Sequence, residues 1–161
     1  MNKVSFPVLM LAGLCGGMAE VAWVAAYSAA TGFDGFEVAR QIAATVLPSV
    51  ANVSWAPLLG IAIHFVLSIA LAIAFGWLVW QPFALAQYHL TGAVVGIAVL
   101  CLIWALNFMV VLPALNPGFV ALMPYPVTLL SKILFAAAMV GMLQTTEAFP
   151  SRVRSPMQVG Y

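Results

Sequence analysis

Apolar residues run through this chain in four long blocks, each cut off by proline, glycine or a polar cluster. They cover Val8–Tyr27, Leu58–Trp80, Leu90–Leu112 and Val127–Gln144. A hydrocarbon core about 30 Å thick needs about 20 apolar residues in a helix, so each block is long enough to cross it. Pro48 and Pro57 precede the second block, Gln81-Pro82 ends it, Pro113 ends the third, and Pro124 and Pro126 precede the fourth. Lys3 is followed by an apolar run from Val4 to Ala30. That is longer than the apolar core of a cleavable signal and is expected to be the first membrane helix. The pattern therefore predicts an all-α integral membrane four-helix bundle with short loops. Residues 1–144 form the membrane domain and 145–161 an irregular C-terminal tail.

The segment after the first helix has a different period. Asp34 and Glu37 have the spacing of a capping box. Phe36, Ala39, Ile42, Ala43, Val46 and Leu47 then share one helical face, and Glu37, Arg40, Gln41 and Thr45 the other. This predicts an amphipathic helix over about 35–47, lying at the extracytoplasmic interface and capping the bundle. The stretch Pro113–Pro126 carries no charge and is expected to pack on the bundle or dip into the interface. Tyr27, Phe33, Trp55 and Tyr125 mark one interface, and Trp77, Trp80 and Tyr88 the other. Lys3, Arg152 and Arg154 lie on one side if the helices number four, which predicts both termini in the cytoplasm of a bacterial inner (plasma) membrane protein.

Composition agrees with the pattern. Hydrophobic residues make up 65% of the chain and charged residues 6%, so most of the surface must face lipid. A net charge of +1 offers no field for nucleic acid. Membrane lipids and other membrane subunits are the partners to expect. Cys15 and Cys101 stand in separate apolar blocks and read as small buried hydrophobes. His64 and His89 fall at opposite depths, which excludes one bis-histidine haem. No cluster of metal-ligating residues is present, and no cofactor is expected. GxSxG, HExxH and GxxxxGK[ST] are all missing, so hydrolase, zincin and P-loop chemistry has no support.

Four polar side chains interrupt the blocks at matching depth: Glu20, His64, Asn107 and Lys132. With alternating helix direction and 1.5 Å rise per residue, all four fall about 7–11 Å below the outer surface. Polar groups at such depth face the bundle interior and pair. Small residues recur on the same faces: Gly13 and Gly16 in the first helix, Gly60, Ser68 and Gly76 in the second, Gly92 and Gly96 in the third. Such stripes let helix backbones approach closely. Glu20 and Lys132 are expected to form an ion pair, with His64 and Asn107 completing its hydrogen bonds.

The stretch Gly13-Leu14-Cys15-Gly16-Gly17-Met18-Ala19-Glu20, the segment Phe36–Pro48, the histidine in Gly60-Ile61-Ala62-Ile63-His64-Phe65 and the glycine pair of the third helix resemble small four-helix inner-membrane proteins of bacteria. The resemblance implies a fold and a location and brings no activity with it. Four short-looped helices, little soluble mass and no catalytic constellation predict a non-catalytic accessory subunit of a larger membrane complex, plausibly an energy-converting one. The alternatives are a small homo-oligomeric transporter or channel using Glu20 and Lys132, and a membrane enzyme acting on a lipid or quinone through Glu20 or His64.

Overall fold

A computed structural model describes residues 4–148, and these are helical with no strand among them. Helix α1 (Phe6–Thr31) starts with Pro7 in its first turn and ends at Gly32, whose φ of 74° is the left-handed conformation that glycine adopts freely. Helix α2 (Gly35–Val46) follows, then α3 (Ala56–Phe75), which continues through a π turn over Gly76–Trp80. Helix α4 (His89–Leu106) passes through a second π turn, Asn107–Val111, into α5 (Leu112–Leu115). Helices α6 (Pro117–Leu122) and α7 (Tyr125–Ala148) complete the described residues. Four spans are long and apolar enough to cross a membrane: Phe6–Thr31, Ala56–Trp80, His89–Leu115 and Tyr125–Thr145. The protein is an all-α four-helix membrane bundle.

Three boundaries differ from the sequence expectation. Pro113 does not end the third span, because it sits in the first turn of α5, where its missing N–H costs little. The uncharged stretch 113–126 is mostly helical, in the short α5 and α6. Helix α7 carries on past Gln144 to Ala148, so the proposed tail starts later; its remainder, with Arg152 and Arg154, lies outside the described residues, as does Lys3.

The long helices pack as a row, α3 against α1, α1 against α7 and α7 against α4. The small residues mark the contacts. A Cβ on Gly13 would meet the backbone of Ser68 and Ile69, one on Gly16 the Phe135 ring, one on Gly76 the Leu9 side chain and one on Gly96 the Val140 side chain. Gly92 lies against Trp80 and the Leu85 carbonyl. Toward the end away from α2 the row is closed by an apolar core of Leu9, Ala12, Phe75, Trp80, Leu100, Phe135, Met139, Val140 and Leu143. Phe75 of α3 and Trp80 of the π turn that extends it reach the glycines of α4 there. Toward the α2 end α3 and α4 do not pack against each other, and the row stays open between them.

Helix α2 roofs that opening. Its N-cap is Asp34, which accepts the Phe36 N–H at 2.9 Å. Glu37 does not reach back as a capping box requires; it accepts instead from Arg40 Nε at 3.1 Å and Gln41 Nε2 at 2.8 Å. Val38, Ala39 and Ala43 are the buried face, whereas Phe36 and Val46 remain exposed. The contact face is thus turned relative to the stripe expected from sequence, because the approach is set at one point: the Ala39 carbonyl seats on Gly60 of α3. On the other side Asn116 donates to Gln41 Oε1 and Thr45 Oγ1, both at 3.0 Å, while its Oδ1 accepts the Phe119 N–H at 3.2 Å. One side chain therefore caps α6 and straps α2 down. Asn116→Ala is expected to cost about 1–2 kcal/mol, a lost cap plus lost hydrogen bonds; denaturant titration in mixed micelles measures it.

Candidate ligand cavity

Beneath α2 lies a cavity of about 710 Å³, within the range of about 300–1,000 Å³ usual for small-molecule sites. All four membrane helices contribute to its walls, and α2 and α6 cover it. Most of the lining is apolar. Its charged groups lie on the floor, where Glu20, His64, Ser131 and Lys132 come together.

Glu20 is the centre of that floor and is 7% exposed. It is buried because Gly16 and Gly17, one turn below, bring α1 close to α7 and α3. Lys132 Nζ lies 2.8 Å from Oε1, and Ser131 Oγ donates to the same oxygen at 3.1 Å. The ammonium also sits 4.8 Å from the Phe135 ring centroid, a cation–π position. Two charges held in low dielectric repay their desolvation only when further hydrogen bonds saturate them. Ser131 and the ring face supply part of that.

His64 approaches from α3. Its Nε2 is 3.2 Å from the Gly17 carbonyl oxygen and 3.8 Å from Glu20 Oε2. A carbonyl only accepts, so Nε2 carries the proton, and in the neutral ring Nδ1 keeps a lone pair. Nδ1 has no partner among the described residues and is not buried; His64 lines the cavity, so that lone pair is available to an occupant.

Asn107 does not join the floor. It is exposed, lines the cavity and has no side-chain hydrogen bond to any described residue. Projection along α4 aligns it with Gly96, and at Gly96 that face is filled by Val140. Three turns higher α3 no longer closes over α4, so the same face looks into open space. Asn107 also opens the π turn of that helix, a departure from regular geometry often found at functional sites.

The remaining wall is aromatic and was not anticipated from sequence. Trp104 stacks on Phe108 with centroids 5.7 Å apart and planes 25° from parallel, and Tyr125 meets Trp104 edge-on at 6.1 Å. Phe119 of α6 extends the cluster, 6.2 Å from Phe108. Trp104 Nε1 donates to Thr128 Oγ1 at 3.1 Å, and that hydroxyl donates to the Tyr125 carbonyl at 3.0 Å, which fixes the indole. The signal available in the sequence was the four-residue spacing of Trp104 and Phe108. Ser28 Oγ, on the wall beside Gly35, is buried without a partner among the described residues.

Among the described residues no group of three His, Cys, Asp or Glu side chains is placed to hold a metal ion. The arrangement provides a half-open, largely apolar volume with an ion pair at its polar end, between two membrane helices that do not pack against each other there. Comparisons with protein-family models, with curated proteins and with solved structures found no match for this chain.

Proposed function

We propose that this protein binds an amphipathic small molecule drawn from the membrane, its head on the Glu20–Lys132–His64 floor and its tail leaving between α3 and α4. The observation that carries this reading is the cavity itself: an apolar volume of about 710 Å³ ending on a buried ion pair and a histidine lone pair. Ligand sites combine mostly apolar walls with a few convergent polar groups in this way. The solid apolar core at the other end argues against a through path for ions and hence against a channel. In the proposed setting, a bacterial plasma membrane with both termini in the cytoplasm, the cavity occupies the outer half.

The accessory-subunit expectation rests on four short-looped helices, little soluble mass and no catalytic constellation, and glycine faces left free would have added to it. Gly13, Gly16, Gly60, Gly76, Gly92 and Gly96 are all used within the chain itself, whereas Gly141 has open space beside it. Native electrophoresis of solubilised membranes decides it: stoichiometric partner proteins in the band with this chain revive the subunit reading.

Solvent extraction and mass spectrometry of the purified protein test binding. Ala25 is exposed and lines the cavity, so Ala25→Trp fills space without disturbing the packed helices. A near-stoichiometric amphipath in the wild type, depleted at least fivefold in Ala25→Trp, is the expected result. Equal and substoichiometric lipid in both contradicts the proposal.

A further inference from the structure

The polar groups left unpaired in the cavity narrow the occupant. The Glu20 carboxylate already has its counter-charge, Lys132 at 2.8 Å. A ligand bearing a phosphate would bring an uncompensated anion next to that carboxylate in a low-dielectric site, which opposes its entry. An uncharged head has no such penalty. It must still satisfy the open valences, and these are of both kinds. His64 Nδ1 only accepts a hydrogen bond, whereas the Asn107 amide both donates and accepts. The head therefore needs oxygen substituents that serve as hydroxyl donors and carbonyl or hydroxyl acceptors.

The wall constrains the shape of that head. Trp104, Phe108 and Phe119 line the cavity as one cluster, with the indole held by Thr128. Aromatic faces fixed in this manner favour a flat ring stacked or set edge-on against them. The rest of the cavity is apolar and opens between α3 and α4, which suits a hydrocarbon tail.

Resting on the binding reading above, we infer that the occupant belongs to the quinone–quinol class: an uncharged planar ring with oxygens on opposite sides and an apolar tail. The ring lies against Trp104 and Phe108; a quinol hydroxyl donates to His64 Nδ1 and the opposite oxygen meets the Asn107 amide, whereas the quinone, whose carbonyls only accept, is held by the Asn107 N–H alone. Binding alone is assigned, with no electron transfer.

Asn107→Leu is the informative variant, because that side chain is exposed and makes no hydrogen bond within the described protein, so its replacement is expected to leave folding unchanged. The probe is a quinone with a single isoprene unit, and its reduced form, titrated into the full-length purified protein while tryptophan fluorescence is followed. Saturable quenching is expected, tighter for the reduced form than for the quinone, with the dissociation constant raised at least tenfold in Asn107→Leu and the melting temperature of the unliganded variant within a degree or two of wild type. Ala25→Trp abolishes saturation. Quenching that is linear in quinone, or unchanged by Asn107→Leu, overturns the assignment. A short-chain anionic phospholipid that saturates the site and is lost in Ala25→Trp, while the quinone does not bind, overturns the quinone class and leaves the binding reading intact. If neither probe binds saturably and extraction also finds no stoichiometric amphipath, both fail.

Discussion

Lys132→Met is expected to destabilise the bundle by about 3–5 kcal/mol, the loss typical when one member of a buried ion pair is removed and the other is left unmatched. Glu20 is 7% exposed, and its Oε1 takes both the Lys132 ammonium and the Ser131 hydroxyl. Without the ammonium, the carboxylate retains one hydroxyl donor on that oxygen and a histidine 3.8 Å from the other. The double variant Glu20→Gln/Lys132→Met removes both charges and is expected to recover most of the loss, since burying a neutral amide beside a hydroxyl costs far less. Denaturant unfolding of the four proteins of this cycle in mixed micelles gives the coupling energy directly. Additive single and double effects contradict the pairing. A recovered fold with no bound amphipath separates the two roles of the floor, since stability then returns while ligand recognition does not.

Gly60→Val carries the second large effect. A Cβ at this position runs into the Ala39 carbonyl of α2, and backbone cannot step aside as a side-chain tip can. Overpacking costs about 1–3 kcal/mol where neighbours adjust; here α2 must lift off α3, so the loss is expected at or above the upper end of that range. Gly76→Ala is the control. Its new methyl meets the end of the Leu9 side chain rather than backbone, so the cost is expected to be smaller. Lifting α2 also uncovers the cavity. Ser28 lies on the wall beside Gly35 of α2, and a cysteine placed there is expected to react with a water-soluble maleimide several-fold faster when Gly60→Val is added. Equal labelling rates contradict the role of α2 as a roof.

The four spans were legible because apolar length is the strongest signal in a membrane sequence. The shared depth of Glu20, His64 and Lys132 was legible for a related reason: alternating helices of fixed rise put equal offsets at equal heights. Depth and rotation together still misplaced Asn107. Helical projection gives the direction in which a side chain points, not whether a neighbour stands there. At Gly96 that direction meets Val140; at Asn107 it meets the cavity. The aromatic wall was out of reach, because it joins Trp104 and Phe108 to Phe119 and Tyr125 across the stretch 113–126, which reads in sequence as a loop. The face of α2 was displaced because a single backbone contact at Gly60, which no hydrophobic period records, sets how that helix is seated.

The most direct test of the cavity account places a photoactivatable diazirine side chain at Leu71, on the cavity wall, and in a second protein at Leu102, which is 71% exposed and lies outside the cavity. Both proteins are irradiated in their native membrane, and the adducts are weighed. The account predicts one dominant amphipath at Leu71, absent when Ala25→Trp is added, and a mixture matching the bulk lipids at Leu102. The same bulk mixture at both positions contradicts it.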